Sequence, residues 1–123
     1  MDYQHRVFWQ EYRGKKILIA DYSHLSGPDL MGVFKVSYET QKQAGTDVLL
    51  ITDFTGAKAT TEIVNALKEA GVELDKDMKK VAAVGLTAFQ KIFYNGYIRV
   101  TGQSQKVKLF DTREASFGWL TAS

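Results

Sequence analysis

Three short runs of apolar residues constrain the fold of this chain more than any other feature. They are Ile17–Ala20, Val48–Ile51 and Val81–Val84. A strand that is apolar on every residue has both faces buried, as in a parallel sheet covered by helices. Between these runs, apolar residues recur at helical spacing after Pro28 and again after Thr60. We therefore expect an α/β fold in which strands and helices alternate.

Further elements precede and follow these runs. Val7–Tyr12 alternates apolar side chains between two faces, and Arg13-Gly14-Lys15 predicts a hairpin turn into the first apolar run. A capping box at Thr87–Gln90 begins another helix, and Val107–Phe110 is a last strand before a closing helix. The predicted order is β-β-α-β-α-β-α-β-α. It gives a mostly parallel five-stranded sheet with an antiparallel edge strand, within one domain over residues 1–123.

The composition excludes several classes of function. The 123 residues include no cysteine, so disulfides, thiolate metal sites and cysteine nucleophiles are excluded. The formal charge of +2 argues against a nucleic-acid partner. No apolar run approaches the roughly 20 residues of a transmembrane helix, and the N-terminal residues lack the apolar segment of a secretory signal. We expect a soluble, cytoplasmic protein with no transmembrane segment.

Four stretches of the chain form a recognisable set by their order and spacing. They are Tyr12-Arg13-Gly14-Lys15 with Asp21-Tyr22-Ser23, Thr52-Asp53-Phe54-Thr55-Gly56, Gly85-Leu86-Thr87 with Gln90-Lys91, and Lys108-Leu109-Phe110-Asp111-Thr112 with Glu114-Ala115 and Trp119-Leu120. Together they resemble the small bacterial STAS/SEC14-like (SpoIIAA-like) domains, which are relatives of the anti-sigma-factor antagonists. The resemblance covers nearly the whole chain.

This resemblance implies a module that docks on a protein partner and has no catalytic role. In the antagonists, phosphorylation of a serine at the start of the helix after the third strand controls docking. Here the corresponding segment contains Thr60 and Thr61 as candidate phosphoacceptors, and the serine and its neighbouring glycine are absent. The SEC14-like side of the relationship implies a small apolar, lipid-like ligand.

The carboxyl edge of the sheet is one predicted binding site, because ligands of open α/β sheets bind where the strands end. Small, polar and aromatic residues follow the first and second apolar runs there. The predicted binding residues of this rim are Tyr22, Ser23, Thr55, Gly56 and Lys58. An anion at the helix start beside Lys58 is an alternative to plain helix capping.

Three aspartates at the same edge allow two interpretations. Asp21, Asp53 and Asp111 each follow a strand, so together they resemble the Mg²⁺ site of a phosphoryl-accepting receiver domain. A receiver also needs a lysine directly after the last strand, and this chain has Asp111 there. The favoured interpretation is that the aspartates accept backbone N–H bonds at turns and helix starts. We expect no metal site.

The helix over residues 87–102 provides a second predicted surface. Phe89, Phe93, Gly96 and Val100 share one stripe, which should face the sheet. We expect Phe89, Phe93, Leu18 and Leu50 to be buried. Tyr94 and Ile98 should then lie on the outer face. The alternatives for that face are contact with a partner, ligand or membrane, or coverage by the C-terminal helix.

These observations support one leading function and two alternatives. The leading hypothesis is a non-catalytic binding or regulatory module that acts through a protein partner or as a homodimer. The alternative is a carrier or sensor of a small apolar ligand held between the 87–102 helix and the sheet. An enzyme ranks third, because no acid, base or nucleophile stands out by spacing. We expect no catalytic residue and no cofactor.

Overall fold

The computed structural model describes residues 2–102 and 105–122, and its elements follow the predicted order. A 3₁₀ turn at Gln4–Arg6 precedes the first strand. The described strands are β1 (Val7–Tyr12), β2 (Lys15–Asp21), β3 (Val48–Asp53), β4 (Met78–Val84) and β5 (Val107–Phe110). The described helices are α1 (Pro28–Ala44), α2 (Thr61–Glu73), α3 (Ala88–Thr101) and α4 (Arg113–Thr121).

The five strands form one sheet in the order β1-β2-β3-β4-β5. β1 pairs antiparallel with β2, and all other neighbours are parallel. The hairpin turn consists of Arg13 and Gly14, whose φ angles are +53° and +79°. Two consecutive positive φ values are typical of the type I′ turn, whose twist fits that of the flanking strands. The predicted topology and antiparallel edge are confirmed.

The helices divide unequally between the two faces of the sheet. α1, α2 and α3 cover one face, where Leu18 and Leu50 are buried as predicted. α4 covers the other face, where its Leu120 packs with Ile19 and Ile51. The sheet is therefore apolar on both sides, which explains the uninterrupted apolar runs of β2, β3 and β4.

Local capping sets several helix boundaries. The Thr87 hydroxyl accepts a bond from the Gln90 N–H (3.2 Å), and the Gln90 side chain accepts one from the Thr87 N–H (2.9 Å). This confirms the predicted capping box. Gly102 ends α3 in the left-handed conformation. α1 begins at Pro28 with Gly27 as its N-cap, and no side-chain hydrogen bond caps it.

Two further predictions concern the burial of two phenylalanines of α3 and the absence of a transmembrane helix. The side chains of Phe89 and Phe93, which we expected to be buried, lie outside the described residues. Across residues 2–102 and 105–122, no helix combines the length and the apolar character needed to cross a membrane.

Candidate functional site

The loops after β2 and β3 meet at the carboxyl edge of the sheet. The Tyr22 N–H donates to the Asp53 carbonyl (2.8 Å), and the His24 N–H donates to the Thr55 carbonyl (2.9 Å). These bonds continue the pairing of the two strands beyond their ends. The predicted rim residues Tyr22, Ser23, Thr55, Gly56 and Lys58 all belong to these two loops.

The Tyr22 side chain belongs to the core rather than to an open cleft. It is 1% exposed and stacks on Phe54 with ring centroids 4.7 Å apart. Burial raises the pKa of the Tyr22 hydroxyl, because the charged phenolate would be poorly solvated there. The sequence placed Tyr22 on an accessible rim, but the structure places its ring beneath that rim.

The polar rim residues shape the loops. The Thr55 N–H and hydroxyl both donate to Asp53 Oδ1, at 3.0 and 2.7 Å, and the Ser23 N–H donates to Asp21 Oδ1 at 2.9 Å. A bond that the backbone N–H two residues further on donates to a carboxylate forms the Asx turn expected of aspartates at strand ends. These bonds support the interpretation of Asp21 and Asp53 as turn-forming residues.

Gly56 is where the two loops come closest. Its φ is +68°, and a Cβ built there would lie 2.4 Å from His24 Nδ1. Any larger side chain would be strained by the backbone and would clash with the histidine. Lys58 next to this contact is exposed, and its N–H donates to the Leu25 carbonyl (3.0 Å).

Arg113, the first residue of α4, joins the two strand-end carboxylates. Its Nη2 lies 2.9 Å from Asp21 Oδ2, and its Nε lies 2.6 Å from Asp53 Oδ2. Arg6 approaches Asp21 from the other side, at 3.7 Å. The positions that a Mg²⁺ ion would need are thus taken by a guanidinium group. Asp111 is separate, because its exposed side chain pairs with Lys91 at 3.3 Å.

The electrostatics of this cluster follow from its partial burial. Burial alone would raise the pKa of Asp21, but hydrogen bonds from Ser23 and Arg113 outweigh it and lower that pKa. Burial alone would lower the pKa of Arg113. Its hydrogen bonds to Asp53 and Asp21 outweigh burial and raise that pKa above its usual value. Within the described residues, no group of three His, Cys, Asp or Glu side chains is arranged to hold a metal ion.

The orientation of α3 differs from the prediction. Ile98 is 8% exposed and packs with Leu18 and Val81 in the core, and Tyr94 is half-buried against the same cluster. Ile92 instead points outward and is 71% exposed. Tyr94 and Ile98 therefore face the sheet, and the prediction that they form an outer docking face is wrong. α4 does not cover the outer face of α3, because it packs on the opposite side of the sheet.

A groove runs between α2 and α3 above the loops that follow β3 and β4. Its volume is about 440 Å³, and apolar side chains dominate its lining. The described lining residues are Phe54, Ala59, Thr60, Thr61, Val64, Asn65, Leu67, Lys68, Leu86, Gln90 and Tyr94. Of the residues predicted to bind, the structure brings Thr60, Thr61 and Tyr94 together here.

The two candidate phosphoacceptors differ in their surroundings. The Thr60 hydroxyl oxygen accepts a bond from the Ile63 N–H (3.2 Å) and caps α2. Thr61 occupies the first position of the helix and is exposed. Both residues line the groove. The helix start next to Lys58 is therefore capped by the chain's own threonine, as the plain capping interpretation predicts.

A small cavity of about 40 Å³ lies between α1, α2 and the sheet. Thr52 on β3 lines it, and the buried Thr52 hydroxyl has no hydrogen-bond partner among the described residues. Ser37 and Gln41 line it from α1, and the Gln41 Nε2 donates to the Ser37 hydroxyl oxygen at 3.0 Å. Sequence reasoning missed this cavity, because a lone threonine in an apolar strand gives no signal of it.

Comparison with known proteins agrees with this architecture. A solved structure described as an uncharacterized protein of the DUF3478 family with a SpoIIAA-like fold, from Shewanella loihica PV-4, superposes with a TM-score of 0.68. The two chains are 15% identical, and the match covers 93% of this chain and 91% of the other. No family model and no curated protein sequence matches this chain. The fold is SpoIIAA-like, as the sequence motifs implied.

Proposed function

We propose that this chain is a non-catalytic STAS-type binding module whose α2–α3 groove takes a small apolar ligand. The groove is the observation that carries the proposal. Its volume of about 440 Å³ lies within the range of roughly 300–1,000 Å³ that is typical of ligand sites. Its walls are mainly apolar, and a few polar groups such as Asn65 and Gln90 could orient a ligand.

The distribution of charged groups supports a binding role rather than catalysis. The Asp21, Asp53 and Arg113 side chains satisfy one another on the α4 face of the sheet. Among the described residues that line the groove, Lys68 alone carries a charge. A hydrolase or transferase would need an acid, base or nucleophile close to its substrate, and this groove offers hydroxyls and amides without a carboxylate or imidazole beside them.

A charge introduced at the groove should weaken binding of an apolar probe. Val64 of α2 lines the groove and is 41% exposed, so Val64→Glu should leave the fold intact. We expect this variant to bind N-phenyl-1-naphthylamine at least about tenfold more weakly, because the probe would desolvate the carboxylate. Probe fluorescence measured in a titration reports the dissociation constant.

Val72 provides the matched control. It lies on the same helix, is 63% exposed and is not among the groove residues. Val72→Glu should bind the probe like the parent protein. Equal weakening by both substitutions, or no saturable binding by the parent, would contradict the proposed ligand site. Native mass spectrometry of the freshly purified protein adds an independent check, since a bound small molecule increases the mass stoichiometrically.

A second candidate function is docking on a protein partner, including a second copy of this chain. The observation that favours it is Ile92, which is 71% exposed on the outer face of α3. An apolar side chain there gains burial only from a partner. We expect Ile92→Lys to shift sedimentation toward monomer if the chain dimerises through this face. Unchanged sedimentation of a dimeric parent protein would exclude this surface.

A further inference from the structure

We infer that the small cavity against the sheet is the inner end of the groove and takes a neutral hydrogen-bonding end group, such as the hydroxyl of a long-chain alcohol. The inference rests on the proposed function, because the ligand's apolar part would occupy the groove. It adds the chemical class of the ligand, which is an uncharged amphiphile rather than a fatty acid or a hydrocarbon.

The first step of the inference concerns the buried hydroxyl of Thr52. Thr52 is 4% exposed, and its Oγ1 has no hydrogen-bond partner among the described residues, although it lines the cavity. Buried polar groups are nearly always hydrogen-bonded, so such an exception indicates a missing partner. A cavity of about 40 Å³ exceeds the roughly 10–15 Å³ that one water needs. The cavity is therefore large enough for a hydroxyl group that would pair with Thr52.

The second step concerns the residues that the cavity and the groove share. Leu67 of α2 and Tyr94 of α3 line both spaces. Both residues are half-buried, and they are the described residues that the two spaces share. Side-chain rotation is fast compared with any backbone rearrangement. A ligand in the groove can therefore pass its end group between Leu67 and Tyr94.

The third step is the charge of the end group. The described lining of the cavity contains hydroxyl, amide and apolar groups, and no Lys, Arg, His, Asp or Glu. A carboxylate or ammonium group there would lose its hydration without gaining an opposite charge, which is strongly unfavourable. A hydroxyl can both donate and accept, which suits Thr52 together with the Ser37–Gln41 pair. Lys68 is the charged residue among the described residues that line the groove, so a charged end group would remain in the groove, outside the cavity.

Three eight-carbon probes of similar shape test the inference. 1-Octanol has a hydroxyl, 1-fluorooctane has no donor, and octanoate is charged. Titrations followed by NMR of the labelled protein should give octanol an affinity about fivefold to tenfold higher than those of the other two, which corresponds to one or two buried hydrogen bonds. Thr52→Val, which has nearly the same shape without the hydroxyl, should reduce this preference to less than about twofold.

Two further variants separate the hydroxyl from packing effects. Thr52→Ser keeps the hydroxyl and should keep the preference for octanol. Thr121→Val removes another buried threonine hydroxyl, on α4 and remote from the groove, and should also keep it. If all three probes bind equally to the parent and to Thr52→Val, the end-group inference is wrong while the groove function stands. If none of the probes binds the groove of the parent, both fail.

Discussion

Replacing Arg113 with alanine is expected to lower the free energy of unfolding by about 3 kcal/mol at neutral pH. The substitution leaves the carboxylates of Asp21 and Asp53 close together without their shared cation. The Asp53 side chain is only 8% exposed, so water replaces the guanidinium poorly. The loss should also loosen the start of α4, because Arg113 is the first residue of that helix. Urea unfolding followed by tryptophan fluorescence measures the change.

Two variants serve as controls for the Arg113 prediction. Arg113→Lys keeps the charge but cannot supply two nitrogens in a fixed plane, so it should recover only part of the loss. Lys91→Ala breaks the Lys91–Asp111 pair, whose side chains are 40% and 87% exposed, and should cost less than about 1 kcal/mol. If Arg113→Ala and Lys91→Ala cost the same, the Arg113 cluster contributes no more than a surface ion pair.

The pH dependence of this effect has a defined sign. The pKa of Asp21 in the folded protein lies below its usual value of 3.8, because bonds from Ser23 and Arg113 outweigh the effect of burial. Asp21 therefore contributes stability above about pH 4, and this contribution is lost as the pH falls through the folded-state pKa. The Arg113→Ala variant already lacks the part of this stability that comes from the Asp21–Arg113 bond. The stability difference between the parent and Arg113→Ala should narrow as the pH is lowered from 4 toward 2.

Local sequence signals were sufficient to predict most of the architecture. The wholly apolar runs in β2, β3 and β4 require burial on both faces, and this leaves few arrangements besides a covered parallel sheet. The Thr87–Gln90 capping box is formed by neighbours in sequence, so its residues alone determine it. The sequence located the hairpin turn at Arg13-Gly14-Lys15, and the structure confines the loop to Arg13 and Gly14, both at positive φ.

The Arg113 cluster could not be predicted in the same way, because its members are distant in sequence. Arg113 and Asp53 are 60 residues apart, and only the folded sheet brings their side chains together. One signal was available. A cation in the first turn of a helix opposes the helix dipole, so Arg113 at the start of α4 indicates that a carboxylate lies nearby. Asp21 and Asp53, both at strand ends, were the candidates.

The orientation of α3 was wrong for a different reason. Periodicity identifies the buried face of a helix only when the other faces are polar. The α3 segment has Ile92 on one side and Tyr94 and Ile98 on another, besides its phenylalanines. The sequence therefore allowed more than one apolar stripe to face the sheet. Packing against side chains from β2, β4 and β5 decides the choice, and these residues are not visible in the helix sequence.

Replacing Ile98 with alanine is therefore expected to destabilise the protein by about 3 kcal/mol, within the range for truncating a buried isoleucine. Ile98 contacts Leu18, Val81 and Val107 at 8% exposure, so the substitution leaves a cavity between α3 and the sheet. The measurement is again urea unfolding, with the midpoint and the slope compared between variant and parent. An unchanged slope would show that the loss reflects packing rather than an altered unfolded state.

Ile92→Ala is the matched control, because it makes the same chemical change on the same helix at 71% exposure. It should alter stability by no more than about 0.5 kcal/mol, as expected for a surface substitution. The two orientations of α3 predict opposite results for this pair of variants. If Ile92→Ala proved the more damaging, α3 would face the sheet with its other side. Tyr94 would then leave the wall between groove and cavity, and the proposed ligand site would lose its inner end.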